Sequence, residues 1–200
     1  MAFISNGTTI LDAGAFDVSL GNLVLISEQT ASSSASIEFT SGIDSTYPIY
    51  KFEFINIHPQ TNDIHFSINF STDGGSNYNV TKTSTYFRAR HKEDDATAEL
   101  AYSTVFDVAQ STGEAYIFDS VANDNDGSWS GELKLFNPSS TTFVKHYISR
   151  IQGMSASPLS NDVYSAGYGN TTSAIDGVRF IMSSGNIDSG TIKLYGIKDS

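Results

Sequence analysis

Asp63-Ile64-His65-Phe66-Ser67-Ile68-Asn69-Phe70 alternates without a fault. Successive side chains of an extended chain point to opposite faces, so Ile64, Phe66, Ile68 and Phe70 share one face and His65, Ser67 and Asn69 the other. That pattern predicts a half-buried strand, with its apolar face inward and its polar face toward water. Asp73-Gly74-Gly75 follows, residues that accept positive φ and so close the strand with a turn. The same period of two recurs at 36–40, 49–58, 83–91, 132–136, 143–151, 178–183 and 191–197.

The punctuation between these stretches agrees. Asn137-Pro138-Ser139-Ser140 separates two strands, and Ser184-Gly185-Asn186 with Asp188-Ser189-Gly190 separates two more. Helical signals are confined to 92–100, where Glu93, Asp94 and Asp95 suit a first turn, and to 105–110. Roughly eight to ten short strands joined by turns predict an all-β fold, an antiparallel β-sandwich of jelly-roll type, with a closed barrel as the alternative. Residues 23–200 form the single sandwich domain. Residues 1–22 hold Gly7, Gly14, Gly21 and the turn pair Asn6-Gly7, and read as an extended N-terminal arm: an anchor that orders against a partner, or a frayed terminus.

One internal echo stands out. Ser130-Gly131-Glu132-Leu133-Lys134-Leu135-Phe136 matches Ser189-Gly190-Thr191-Ile192-Lys193-Leu194-Tyr195 in its in–out pattern. The two are either equivalent strands of a sandwich or two strands solving one problem alike.

Composition narrows the function. The 200 residues carry a formal charge of −11, yet only 16% are charged, and 48 are Ser or Thr. The surface is therefore hydroxyl and amide more than ionic. Apolar residues at 39%, including 13 Phe and 10 Tyr, suffice for a core and exclude wholesale disorder. An acidic chain repels phosphate, which argues against a nucleic-acid partner. No apolar run reaches the roughly 18 residues of a membrane span, and Met1 to Ser5 lack the pattern of a secretory signal. With no cysteine there is no disulfide, thiolate metal site or cysteine nucleophile.

Chemistry-bearing patterns are sparse. His58, His65, His91 and His146 share no i, i+2 or i, i+4 spacing of the kind that builds a metal site. No Gly-x-Ser-x-Gly elbow and no phosphate-binding glycine loop occur, so no enzyme is expected and no cofactor is required. Asn123-Asp124-Asn125-Asp126-Gly127 resembles the first half of a calcium loop, with Asp124 and Asp126 as candidate ligands. Ala122 and Leu133 occupy what would be its first and last ligand positions. Trp129, Tyr164 and Tyr168 are the candidate glycan-binding aromatics, since a sugar face stacks on a ring while nearby amides take its hydroxyls. Tyr164 and Tyr168 lie in the loop-like run 161–172.

Several stretches resemble virion structural proteins of marine tailed phages, cyanophages among them. They are Phe39-Thr40-Ser41-Gly42-Ile43-Asp44-Ser45-Thr46-Tyr47, the run Leu135-Phe136-Asn137-Pro138-Ser139-Ser140-Thr141-Thr142-Phe143-Val144-Lys145-His146, Asn170-Thr171-Thr172-Ser173-Ala174-Ile175, and the closing run from Met182 to Gly196. The resemblance covers roughly residues 20–197. It implies a non-enzymatic particle component, made in host cytoplasm and carried on the virion. The expected role is capsid decoration, as a homo-oligomer, with a trimer favoured, against major capsid or tail proteins. The alternative is a tail-associated adhesin, of tail-fibre type, that binds host glycan.

Overall fold

The structure, a computed structural model, describes residues 3–5, 8–12, 15–16 and 22–198. In chain order its strands are β1 (Phe3–Ser5), β2 (Thr8–Asp12), β3 (Ala15–Phe16), β4 (Leu23–Ser34), β5 (Ile37–Phe39), β6 (Ile49–Pro59), β7 (Ile64–Ser71) and β8 (Lys82–Lys92). The second half adds β9 (Ala98–Tyr102), β10 (Ala115–Val121), β11 (Trp129–Phe136), β12 (Lys145–Met154), β13 (Leu159–Gly169), β14 (Gly177–Met182) and β15 (Ile187–Ile197). Every regular element among the described residues is a strand, as the period of two requires.

Two antiparallel sheets form the sandwich. One has eight strands in the order β4-β15-β6-β11-β12-β13-β8-β9, the other four in the order β10-β7-β14-β5. Within the expected arm, β1, β2 and β3 pair as a small antiparallel sheet of their own. The rest of 1–21, including the turn Asn6-Gly7, lies outside the described residues, and so does the arm's anchoring role.

Between the sheets lies an aromatic core. Phe66 stacks on Phe180 at 5.7 Å, while Phe54 meets Phe66, Phe180 and Trp129 edge-on at 5.2–5.6 Å. Edge-to-face packing sets the positive ring edge against the negative face and adds to the gain from burial alone. Each such fully buried side chain contributes about 1.5–3 kcal/mol relative to exposure.

The echoed strands, β11 and β15, are the two neighbours of β6. In both strands a register shift against β6 falls at the glycine, between Trp129 and Gly131 and between Ser189 and Thr191. Between them Asn56 takes a φ of +49°, bending β6. At Gly190, itself at φ +116°, a Cβ would lie 2.7 Å from the Asn56 carbonyl oxygen, so only glycine lets the strand follow that bend. The echo is two strands fitting one kink. Asp188-Ser189-Gly190 is accordingly a bulge within β15, not a turn between strands.

The two helical expectations fail for a shared reason: strands claim the backbone. Residues 92–97 form the turn between β8 and β9, with Lys92 N–H bonding the Thr97 carbonyl at 2.9 Å. Residues 103–114 run alongside β8, whose Ser84 and Lys82 amides donate to the carbonyls of Val108 and Ser111 at 2.8 Å each. This segment also covers the supposedly wet face of β7. Phe106 packs edge-on to His65 at 4.8 Å, and Ser67 and Asn69 are each only 1% exposed.

His65 lies between Phe106 and Tyr116, and the Ser120 amide donates to its Nδ1 at 3.4 Å. Burial therefore pulls its pKa below the usual 6.5. The unfolded chain takes up the proton first as the pH falls, so this residue's contribution to stability declines from about pH 6.5 downward. Urea titrations from pH 7.5 to 5 are expected to show less of that decline in His65→Phe than in the parent. An equal pH dependence would refute the assignment.

Candidate contact face

The four-stranded sheet covers one face of the eight-stranded sheet and leaves the other to solvent. Strict alternation along β12 puts His146, Ile148, Arg150 and Gln152 on that open face, while Tyr147, Ser149 and Ile151 are buried. Register then lines side chains into rows that cross the strands. One row reads Glu28, Lys193, Glu53, Glu132, Arg150, Tyr164, Phe87 and Tyr102.

The halves of this row differ in chemistry. From β4 to β11 it is ionic: Lys193–Glu28 at 3.1 Å, Lys51–Glu53 at 2.7 Å, Lys51–Glu132 at 2.9 Å and Lys134–Glu132 at 3.0 Å. Partial burial alone would raise Glu132, but Lys51 and Lys134 outweigh it and hold its carboxyl below the usual range. Each such pair on an open surface adds about 1 kcal/mol at most, so the ladder sets charge pattern more than stability.

From β12 to β9 the face is aromatic and aliphatic. The Arg150 guanidinium, paired with Asp162 at 2.9 Å, sits 5.0 Å over the Tyr164 ring. Tyr164 stacks parallel on Phe87 at 4.9 Å, and Phe87 registers with Tyr102. Leu100 at 76% and Ile148 at 54% exposure extend the apolar ground on either side. Ile148, Ala166 and Thr85 floor a shallow trough of about 430 Å³ whose other side carries His146 and Tyr168.

Comparison with family models, curated proteins and solved structures returned no match. Geometry alone therefore distributes the sequence-derived candidates. Tyr164 and Tyr168 stand on β13, not in a loop, and flank Ala166 on the open face. Trp129 does not join them. It is 1% exposed, wedged among Phe54, Phe66 and Phe118, and offers no face to a sugar. Its period-two position on β11 was the available signal, since it shares the inward parity of Leu133 and Leu135.

Asp124 and Asp126 lie in the turn before β11. The Asp124 carbonyl contacts His58 Nε2 at 3.1 Å, and Asp126 lines a polar hollow with Asn56, His58 and Asp188. Among the described residues no group of three or more His, Asp or Glu side chains converges as for a metal ion, so the two carboxylates gain no third ligand of that kind. His58 stands near the end of β6, as the alternation over 49–58 predicts.

Proposed function

We propose that this chain is a structural protein of a tailed-phage virion surface, most simply a capsid decoration protein, and that the open face of the eight-stranded sheet is where it meets its neighbours. The observation that carries this reading is that face: stacked aromatics and exposed aliphatics on one half, an ion-paired ladder on the other. Apolar groups gathered in one exposed patch mark contact surfaces, and aromatic residues with Arg are enriched at them. The resemblance of the quoted stretches to phage particle proteins supports the same assignment, as does a hydroxyl-rich surface that depends little on screened charges.

Ile148→Glu tests it. The substitution sits on an exposed position, so folding stability is expected to change by no more than about 0.5 kcal/mol. Self-association, read by light scattering, and occupancy on particles, read by quantitative imaging, are both expected to fall. Unchanged association and occupancy would remove this face from assembly. Copy number following the head lattice supports decoration; small multiples of the tail's axial symmetry support the second reading.

That second reading is a glycan-binding adhesin. It is favoured by Tyr168 at the side of the trough and Tyr164 two places along the same face of β13, with Gln110 and Asn170 joined at 2.9 Å beside Tyr168. Tyr168→Ala would then abolish glycan retention without disturbing the fold.

A further inference from the structure

Lys82 and Asn69 form the most unusual side-chain pair in the molecule. Lys82 opens β8 in the large sheet and is 0% exposed; Asn69, on β7 of the small sheet, is 1% exposed. The Lys82 Nζ lies 2.6 Å from Asn69 Oδ1 and 2.7 Å from the Val80 carbonyl, with no carboxylate in salt-bridge contact among the described residues. A C=O bond is about 1.23 Å long, so Nζ stands no more than about 3.8 Å from the Asn69 amide carbon, close to attack distance.

The groups around the amide are arranged for acyl transfer. Its oxygen accepts the Phe70 backbone N–H at 2.8 Å as well as Lys82. Its nitrogen donates to the Thr112 carbonyl at 3.1 Å and to Glu114 Oε1 at 3.3 Å. Two donors on one atom and two acceptors at the other fix which end is oxygen. Glu114 Oε1 is also paired with Arg179 at 2.5 Å, while its second oxygen, Oε2, is buried without a hydrogen-bond partner among the described residues.

We propose that Lys82 and Asn69 join in an intramolecular isopeptide bond, with Glu114 carrying the protons. The Lys82 ammonium gives up a proton that Glu114, already hydrogen-bonded to the Asn69 amide nitrogen, takes up, and the free amine attacks the Asn69 amide carbon. As the new C–N bond forms, the carbonyl electron pair moves onto Oδ1, where the Phe70 N–H stabilises the developing negative charge. Collapse restores the C=O bond and breaks the bond from carbon to Nδ2, which takes its proton from Glu114. Of the three ammonium protons, one stays on the new amide nitrogen and two depart with the leaving nitrogen as ammonium. Glu114 ends as a carboxylate, and neither oxidant nor co-reactant is consumed.

The surroundings favour the first step. Burial pulls the Lys82 ammonium down to about 8, against a smaller opposing effect of Glu114. Roughly a tenth of such an amine is neutral at pH 7. Separating the two side chains would need the sheets to part, so the reactants are held together by the fold itself.

Intact-mass measurement of the purified full chain tests this. The folded protein is expected to weigh about 17 Da less than its sequence, the mass of one ammonia released by amine attack on the amide. Cyclisation at Asn6-Gly7 would lose the same mass, so tryptic fragments decide the position: no Lys or Arg lies between Asn69 and Lys82, and the expected product is an uncut peptide of residues 52–88 that carries the loss and gives no backbone fragment ions between 69 and 82. Lys82→Arg and Glu114→Gln are each expected to restore the full mass. A native chain that melts cooperatively at full sequence mass overturns the proposal, as does ammonia loss confined to another site. A cross-linked loop that persists in Glu114→Gln removes the proton-carrying role.

Discussion

Trp129→Ala is expected to lower folding stability by about 3–5 kcal/mol, the range found when a buried aromatic is cut back to a methyl group. The indole touches Phe54, Phe66 and Phe118 at centroid distances of 5.6, 4.4 and 5.7 Å, so its removal opens a cavity bounded by three rings from both sheets. Neighbouring strands cannot close that space cheaply, because Gly153 already packs its backbone against Trp129. The indole nitrogen has no hydrogen-bond partner among the described residues, so no polar contact is lost with it. Urea denaturation of parent and variant gives the number. A loss below about 1 kcal/mol with an unchanged denaturant slope would contradict the packing described. Any effect of this substitution on attachment to a host should follow the fraction folded.

The second large effect is expected at Asp119. This carboxylate, fully buried on β10, accepts from Tyr86 at 2.5 Å and from Asn161 at 3.0 Å, and it pairs with Arg88. Burial, reinforced by the Asp119 charge, drives the Tyr86 hydroxyl far above its ordinary pKa, so it stays a donor at any pH at which the protein folds. Asp119→Ala leaves a cation, a phenol and an amide without their shared acceptor. Breaking one side of a buried ion pair costs about 3–5 kcal/mol, mostly from stranding the surviving charge. Asp119→Asn keeps one acceptor oxygen and should fall between parent and alanine. A double-mutant cycle with Arg88→Met is expected to show coupling, since removing the stranded cation relieves part of the damage. Additive losses would mean that Arg88 and Asp119 do not share one network.

These networks mark the boundary of what alternation can reveal. Strands β6, β7 and β12 were legible because one face is buried and the other polar, which is the condition under which period two appears in a sequence. Strand β10 was not, because Phe118 and Asp119 are both fully buried and its residues do not sort by polarity. Strand β13 was hidden differently: Tyr164 and Tyr168 face outward, and Gly167 and Gly169 interrupt it, so it reads as a loop. The polar face of β7 is polar, as its alternation predicts, yet dry, because the segment covering it arrives from residues 103–114. Tyr164 and Tyr168 could be picked by type, but only register places them beside Phe87 and His146. Lys82 carries no signal of its own in the sequence. Its ammonium meets Asn69 of β7 and the Val80 carbonyl, with Glu114 of the loop before β10 on the far side of Asn69, and strand order is not written in local spacing.

Strand β4 begins and β15 ends side by side, with Leu23 registered against Ile197 at the edge of the large sheet. The first and last strands of the sandwich thus lie side by side, and β15 is held on its other flank by β6. A short linker from Ile197 to Leu23 would close the two-sheet sandwich into a ring without disturbing any of its own pairings, leaving out the small sheet β1-β2-β3, and new ends could be opened at the turn of residues 72–76. A pull applied across residues 23 and 197 would peel the edge strand β4 from β15 one rung at a time, while the pairing of β15 with β6 holds the other side of that seam.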